Sequence, residues 1–168
     1  SLIAIFVYIL ARFRNVAFSI GSVLALTVDT LIIVGMYSIC WGWMPFSLEV
    51  DQTFIGAVLT AIGYSINDKV VVFDRIRENL GLYPKRETER LFNDSLNETL
   101  ARTIMTSATT LLVLLCIFFL GGDSIRSFAF AMILGVIFGT LSSIFLAAPI
   151  AFRTLGKKRV VEAAVAKA

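Results

Sequence analysis

Five apolar runs divide the chain, and polar connections separate them. The runs predict helices at about residues 1–12, 16–44, 53–73, 100–120 and 126–152. Because a helix needs about 20 apolar residues to cross a bilayer, the last four can span it. The first is too short, so it is either a re-entrant segment or a helix cut inside a fragment, and we favour the fragment. The pattern predicts an all-α fold, a polytopic membrane helix bundle of about five transmembrane helices. This membrane domain covers residues 1–159, and residues 160–168 form a C-terminal tail.

The basic residues indicate how the bundle lies in the membrane. Lys and Arg cluster at residues 12–15, 74–99 and 153–168, whereas the two loops on the opposite side contain just Arg126. The positive-inside rule therefore places the clusters, and the C-terminus, on the cytoplasmic side. Within residues 80–98, leucines recur near helical spacing among charged residues, which predicts an amphipathic helix at the cytoplasmic surface. A partner-binding surface and a solvated helical loop both fit this segment.

Composition excludes several classes of function. The chain is 58% hydrophobic, and its net charge of +3 comes from clustered cations, which argues against a nucleic-acid-binding surface. Histidine is absent, which excludes an imidazole proton relay and a His-ligated metal site. Cys40 and Cys116 both lie in apolar runs, where cysteine behaves as a small packing residue. The sequence shows no nucleophile with a base, no phosphate-binding glycine loop and no metal-ligand cluster. We therefore expect neither an enzyme nor a bound metal or cofactor.

Asp68 is a carboxylate within an apolar run, where an ionisable group is costly and needs a partner. It lies roughly 7–8 Å from the cytoplasmic end of its helix at Phe73. Arg102, at the start of the next apolar run, lies at a similar depth and could reach it if the two helices are neighbours. Burial favours a neutral carboxyl group and a nearby guanidinium favours the carboxylate, so a pair that opens and closes could exchange a proton. A static ion pair that fixes helix packing is the alternative.

Four further polar residues are candidates for a relay or for support of this acid. Ser65 shares a helical face with Asp68, and Asn67 is its neighbour in sequence. Thr106 belongs to a hydroxyl-rich stretch of the next helix, which indicates either a hydrated path or contacts between packed helices. Asp29 lies mid-span in the second run without an obvious partner. It could be a neutral structural acid or part of a proton path.

Three stretches of the chain resemble the signature motifs of the SecF protein-export membrane subunits. The longest, residues 63–79, begins Gly-Tyr-Ser-Ile-Asn-Asp and ends Phe-Asp-Arg-Ile-Arg-Glu-Asn. Residues 99–107 and 135–145 match further motifs in the same order and spacing. The last stretch contains Gly135 and Gly139, whose Gly-x-x-x-Gly spacing by itself predicts close helix packing.

The resemblance implies membership of the SecD/SecF family, in the RND transporter superfamily, as a SecF subunit or the C-terminal part of a fused SecDF. It implies location in the bacterial inner membrane, and SecD, the SecYEG channel and a translocating preprotein as partners. The proton-motive force would supply the energy, without a cofactor. The family's proton-transport acid and arginine match Asp68 and Arg102. The chain departs from the family pattern at Lys69, where Thr is usual, and at Val28 beside Asp29, where His is frequent.

Two other functions stay open at this point. One is a structural membrane scaffold that stabilises the translocon without moving protons. The other is an RND-type exporter of small molecules or lipids.

Overall fold

The computed structural model describes residues 2–14, 16–43 and 49–165, and the regular structure within them is helical. Its elements are α1 (Leu2–Phe13), α2 (Val16–Cys40), α3 (Gln52–Leu82), α4 (Thr88–Leu120), α5 (Asp123–Ser142), a π turn (Ser143–Ala147) and α6 (Ala148–Val165). Four stretches are long and apolar enough to cross a membrane, namely Phe18–Cys40, Gln52–Leu82, Thr88–Leu120 and Asp123–Gly156. The prediction of an all-α polytopic bundle is therefore confirmed. Residues 160–165 of the predicted tail belong to α6, and residues 166–168 lie outside the described part.

The connection between α3 and α4 differs from the prediction. The amphipathic helix expected at residues 80–98 does not form as a separate element, because α3 extends to Leu82 and α4 begins at Thr88. Pro84 disfavours a helical backbone at the residue before it, and Tyr83 has φ −126° and ψ 65°. This ends α3. No Gly or Pro interrupts α4, so the polar residues become the first turns of the next long helix.

The last predicted span, residues 126–152, is one rod built from α5, the π turn and α6. Pro149 accounts for the widened π turn that precedes it. A proline has no N–H, and its ring clashes with the carbonyl group four residues earlier, here Phe145. A single π turn inserted into an α-helix accommodates such a disruption and is frequent at functional sites. The widening begins at Ser143, a buried residue.

Two apolar clusters fill opposite ends of the bundle. The first, at the end with most of the basic residues, includes Phe18, Phe73, Ile76, Leu91, Phe92 and Ala151. The second includes Ile33, Tyr37, Phe54, Leu114 and Met132. Because lipid is as apolar as these side chains, close packing rather than escape from water holds the clusters together in a membrane.

A polar layer lies between the two clusters. Along the helices that contribute to both clusters, buried polar residues occupy positions between them: Asp29 in α2, Ser65 and Lys69 in α3, Thr103 in α4, and Ser143 in the π turn of the last rod. Helix α3 makes its most extensive contact with α5, so it runs through the interior of the bundle. This layer contains the candidate site.

Candidate functional site

A buried ion pair joins α2 to α3 in the polar layer. Oδ2 of Asp29 accepts hydrogen bonds from Nζ of Lys69 at 2.9 Å and from Oγ of Ser65 at 2.8 Å. Ser65 also accepts a hydrogen bond from Lys69. The side chains of Lys69 and Asp29 are 0% and 3% exposed. Buried charges of this kind persist when they are paired, so Lys69 is the partner that the sequence left open for Asp29.

Asp68 is held by the π turn. Oγ of Ser143 lies 2.8 Å from Oδ2 of Asp68 and 2.8 Å from the carbonyl oxygen of Thr140. A hydroxyl group has one proton to donate, so Ser143 serves one of these acceptors at a time. Thr103 of α4 is buried near the same carboxyl group, but its hydroxyl group makes no hydrogen bond within the part of the chain that the structure describes. Asp68 is half-buried, so its carboxyl group is protected but not sealed.

Arg102 does not form the ion pair with Asp68 that the sequence predicts. Among the ion pairs of the described residues, none joins these two side chains. Neighbouring positions on a helix are about 100° apart, and α4 turns Thr103 toward Asp68, which leaves Arg102 exposed. Arg102 instead lines a surface cavity of about 320 Å³ with Asp74, Arg75, Glu78 and Glu98. A role of Asp68 and Arg102 in proton transport stays a prediction.

Two other predicted residues lie on the outer surface of the bundle. Asn67 is exposed, next to Asp68 in sequence but turned away from the interior. Thr106 is exposed, and its hydroxyl group donates to the carbonyl oxygen of Arg102 at 2.8 Å. Ser, Thr and Asn side chains in helices often bond in this way to the backbone one turn earlier. Both residues are therefore placed outside the polar layer, whereas Ser65 and Asp29 are at its centre.

Gly135 and Gly139 lie where α5 approaches α3. Both are buried. A Cβ atom added to Gly135 would overlap Ala61, and one added to Gly139 would lie 3.0 Å from Oγ of Ser65. Because Ser65 bridges Asp29 and Lys69, the close approach at Gly139 also fixes the position of a side chain in the ion pair.

The end of the bundle beyond Asp68 is tied together by polar contacts between α3 and α4. Arg75 pairs with Glu78 and Glu98, and all three side chains are substantially exposed. Exposed pairs contribute little to stability. The buried contact is the hydrogen bond from Nδ2 of Asn79 to Oγ of Ser95, at 2.8 Å, which fixes the two helices beside the candidate site.

Comparison with known protein families assigns nearly the whole chain to one family of membrane proteins. The model of the family described as "Protein export membrane protein SecD/SecF, C-terminal" matches residues 1–157. The chain belongs to the SecD/SecF family. It is 54% identical over 150 residues to protein translocase subunit SecF of Rhodothermus marinus, covering 89% of this chain and 48% of that protein. It is 46% identical over 160 residues to protein translocase subunit SecF of Thermodesulfovibrio yellowstonii, covering 94% of this chain and 50% of that protein.

Solved structures of SecDF show the same arrangement of helices. The crystal structure of SecDF in the super-membrane-facing form matches with a TM-score of 0.84 at 42% identity. The match covers 97% of this chain and 21% of that chain. The SecD/SecF-family chain is thus a multi-pass membrane protein, and it spans about half the length of the curated relatives it matches.

Sequence reasoning missed two side chains of this SecD/SecF-family site. Ser143 lies within the motif at residues 135–145, in which the sequence predicts helix packing through Gly135 and Gly139. Pro149, which distorts the helix beside it, was the readable signal that Ser143 could be displaced toward a neighbour. Lys69 appears as a departure from the family pattern. Its spacing of i, i+4 from Ser65 places both residues on one helical face, which was the signal that it points inward.

Proposed function

We propose that this chain is part of an auxiliary subunit of the Sec protein translocase that uses the proton-motive force to promote preprotein export across the bacterial inner membrane. Membership of the SecD/SecF family supports the translocase role. The observation that carries the proton coupling is the half-buried Asp68, held by Ser143 between two packed helices and the π turn. No cofactor is needed, because the transmembrane potential acts on the proton itself.

The contacts of Asp68 suit both protonation states of its carboxyl group. When Asp68 is charged, Ser143 donates its single proton to the carboxylate. When Asp68 is protonated, its own O–H can donate to Oγ of Ser143, whose proton then turns to the carbonyl oxygen of Thr140, which is also 2.8 Å away. Neither state leaves Ser143 with an unused donor. A carboxyl group whose neighbours accept both states can load and release a proton with little rearrangement.

The exposed face of the bundle supports a partner beside α3 and α4. Asn67, Arg102 and Thr106 all lie on this outer surface, and polar groups that face hydrocarbon are costly. A SecD-type half would cover them and bring Arg102 an acidic partner. One SecDF structure is described as that of a translocon-associated membrane protein. By the same analogy, SecYEG and the preprotein are the further partners. The positive-inside rule puts the C-terminal end of α6, and the C-terminus, on the cytoplasmic side.

The test is the effect of Asp68→Asn in the full-length subunit, assembled with its SecD-type half and the SecYEG channel in membrane vesicles. We expect export of a preprotein to lose the increment that an imposed proton-motive force adds, because an amide cannot carry a proton. Asp123→Asn is the matched control, because Asp123 is exposed at the far end of the bundle. This variant should export normally.

Two results would contradict the proposal. Normal export by the Asp68→Asn variant would indicate a scaffold that stabilises the translocon without moving protons. Normal protein export together with altered accumulation of a small molecule or lipid would indicate an exporter of the RND type.

A further inference from the structure

The charges of the polar layer do not cancel. Asp29 and Lys69 form an ion pair. Asp68 adds a second carboxyl group, which also attracts Lys69. Two carboxylates and one ammonium leave a net charge of −1 in a largely buried layer of the bundle. One proton would make the group neutral, which is the state that a low-dielectric interior favours.

Asp29 has an oxygen atom ready for that proton. Its Oδ2 holds Lys69 and Ser65, whereas Oδ1 is buried and receives no hydrogen bond from the side chains and backbone that the structure describes. A buried carboxylate oxygen normally accepts a hydrogen bond. An unoccupied acceptor beside a satisfied one is the position where a proton can bind without breaking an existing contact.

We infer that Asp29, Lys69 and Asp68 act as one unit that binds a single proton, and that Oδ1 of Asp29 is a second residence for it besides Asp68. Lys69 is the positioning residue, because its ammonium group stabilises whichever of the two acids is charged. When the proton is on Asp68, Lys69 stays on Asp29. When the proton is on Oδ1 of Asp29, the attraction of Lys69 shifts to Asp68. The inference rests on the proposed proton coupling and extends it across α3 to α2.

The surroundings contain no other described charge that faces this unit. Helix α4 presents Thr103, and α5 presents Gly139 against Ser65. The π turn presents Ser143. Arg102 of α4 is exposed. The charge count therefore depends on Asp29, Lys69 and Asp68 within this part of the chain.

Infrared difference spectroscopy of the full-length subunit with its SecD-type half, in lipid, tests the inference. Lowering the pH should add one protonated-carboxyl band from the buried unit in the unmodified protein. In Asp29→Asn, the remaining Asp68 carboxylate and Lys69 ammonium have a net charge of zero. The unit then has no charge for a proton to neutralise, so this band should disappear. Asp123→Asn, at the exposed far end, should leave the band unchanged. Persistence of the band in Asp29→Asn would show that Asp68 titrates by itself and would overturn the inference.

A second variant keeps the test decisive if Asp29→Asn does not fold. Asp29→Asn combined with Lys69→Met removes the buried ion pair as a whole and leaves Asp68 without the ammonium group that attracts it. The proposal predicts that the band of Asp68 then appears at higher pH than in the unmodified protein, because the carboxylate has lost its cation. An unchanged midpoint would refute the shared unit.

These measurements separate the inference from the proposed function. Loss of the band in Asp29→Asn, with normal export by Asp68→Asn, would support the shared unit and refute the coupling of its proton to export. Persistence of the band, with export lost in Asp68→Asn, would support the coupling and overturn the shared unit.

Discussion

Replacement of Lys69 by Met gives the sharpest stability prediction, because it removes the cation and nearly preserves the volume. Asp29 is then left buried without its counter-charge. Breaking a buried pair in this way typically costs 3–5 kcal/mol. The charged acid can avoid this penalty by taking up a proton. The cost of protonation is therefore the upper limit of the stability that the variant loses.

That limit depends on pH in a calculable way. An aspartic acid in water has a midpoint near pH 3.9, and each unit of pH corresponds to about 1.36 kcal/mol. Protonating a carboxyl group of this ordinary acidity therefore costs about 4 kcal/mol at pH 7 and about 1.5 kcal/mol at pH 5. The folded variant binds more protons than the unfolded chain, so its loss of stability grows as pH rises. Relief from burying the ammonium group lowers both values alike, so the loss at pH 7 should exceed the loss at pH 5 by up to about 2.7 kcal/mol.

The assay is reversible unfolding of the full-length protein in mixed micelles, measured at pH 5 and pH 7 for each variant. Asp29→Asn supplies a matched control, because Lys69 then keeps the Asp68 carboxylate as its counter-charge, so its loss of stability should change less between the two pH values than that of Lys69→Met. A loss for Lys69→Met that is equal at both pH values, or larger at pH 5, would refute the reasoning.

Four further variants and the isolated chain extend the test. Gly135→Ala should destabilise the fold by about 1–3 kcal/mol through overlap with Ala61, whereas Gly35→Ala, with open space around it, should stabilise it by up to about 1 kcal/mol; equal effects in unfolding titrations would contradict the packing. Ser143→Ala should move proton uptake by the buried unit to higher pH, because the carboxylate loses a donor; an unchanged infrared midpoint would argue against it. Pro149→Ala should produce the same shift if the π turn positions Ser143, and no shift would refute that link. The isolated chain, without a SecD-type half, should conduct no protons in liposomes, and robust conduction would contradict this.

The fold was predictable to a large extent because each span is a long apolar run with a clear end. Pro84 ends α3, as expected for the backbone before a proline. Residues 88–120 change from polar to apolar, but they contain no Gly or Pro, so the helix α4 continues through the change. An amphipathic segment was therefore expected where the structure has the first turns of a long helix. The sequence contains both the amphipathic pattern and the unbroken helical stretch, and the structure shows that the unbroken stretch decides where the helix begins and ends.

The site was less predictable, because contacts between helices depend on rotation as well as depth. Asp68 and Arg102 were matched by depth, yet a rotation of one residue places Thr103 inward and Arg102 outward. Lys69 and Asp29 could be paired only once the faces of α2 and α3 were known. The sequence identified the acids that need a partner, and the packing decided which partner each one has.

Proton flux through the full-length protein with its SecD-type half, reconstituted in liposomes, tests the central claim most directly. With a pH gradient imposed and a pH-sensitive dye enclosed, the unmodified protein should carry protons and Asp68→Asn should carry none, while Asp123→Asn should match the unmodified protein. Flux through Asp68→Asn at the unmodified rate would contradict the account.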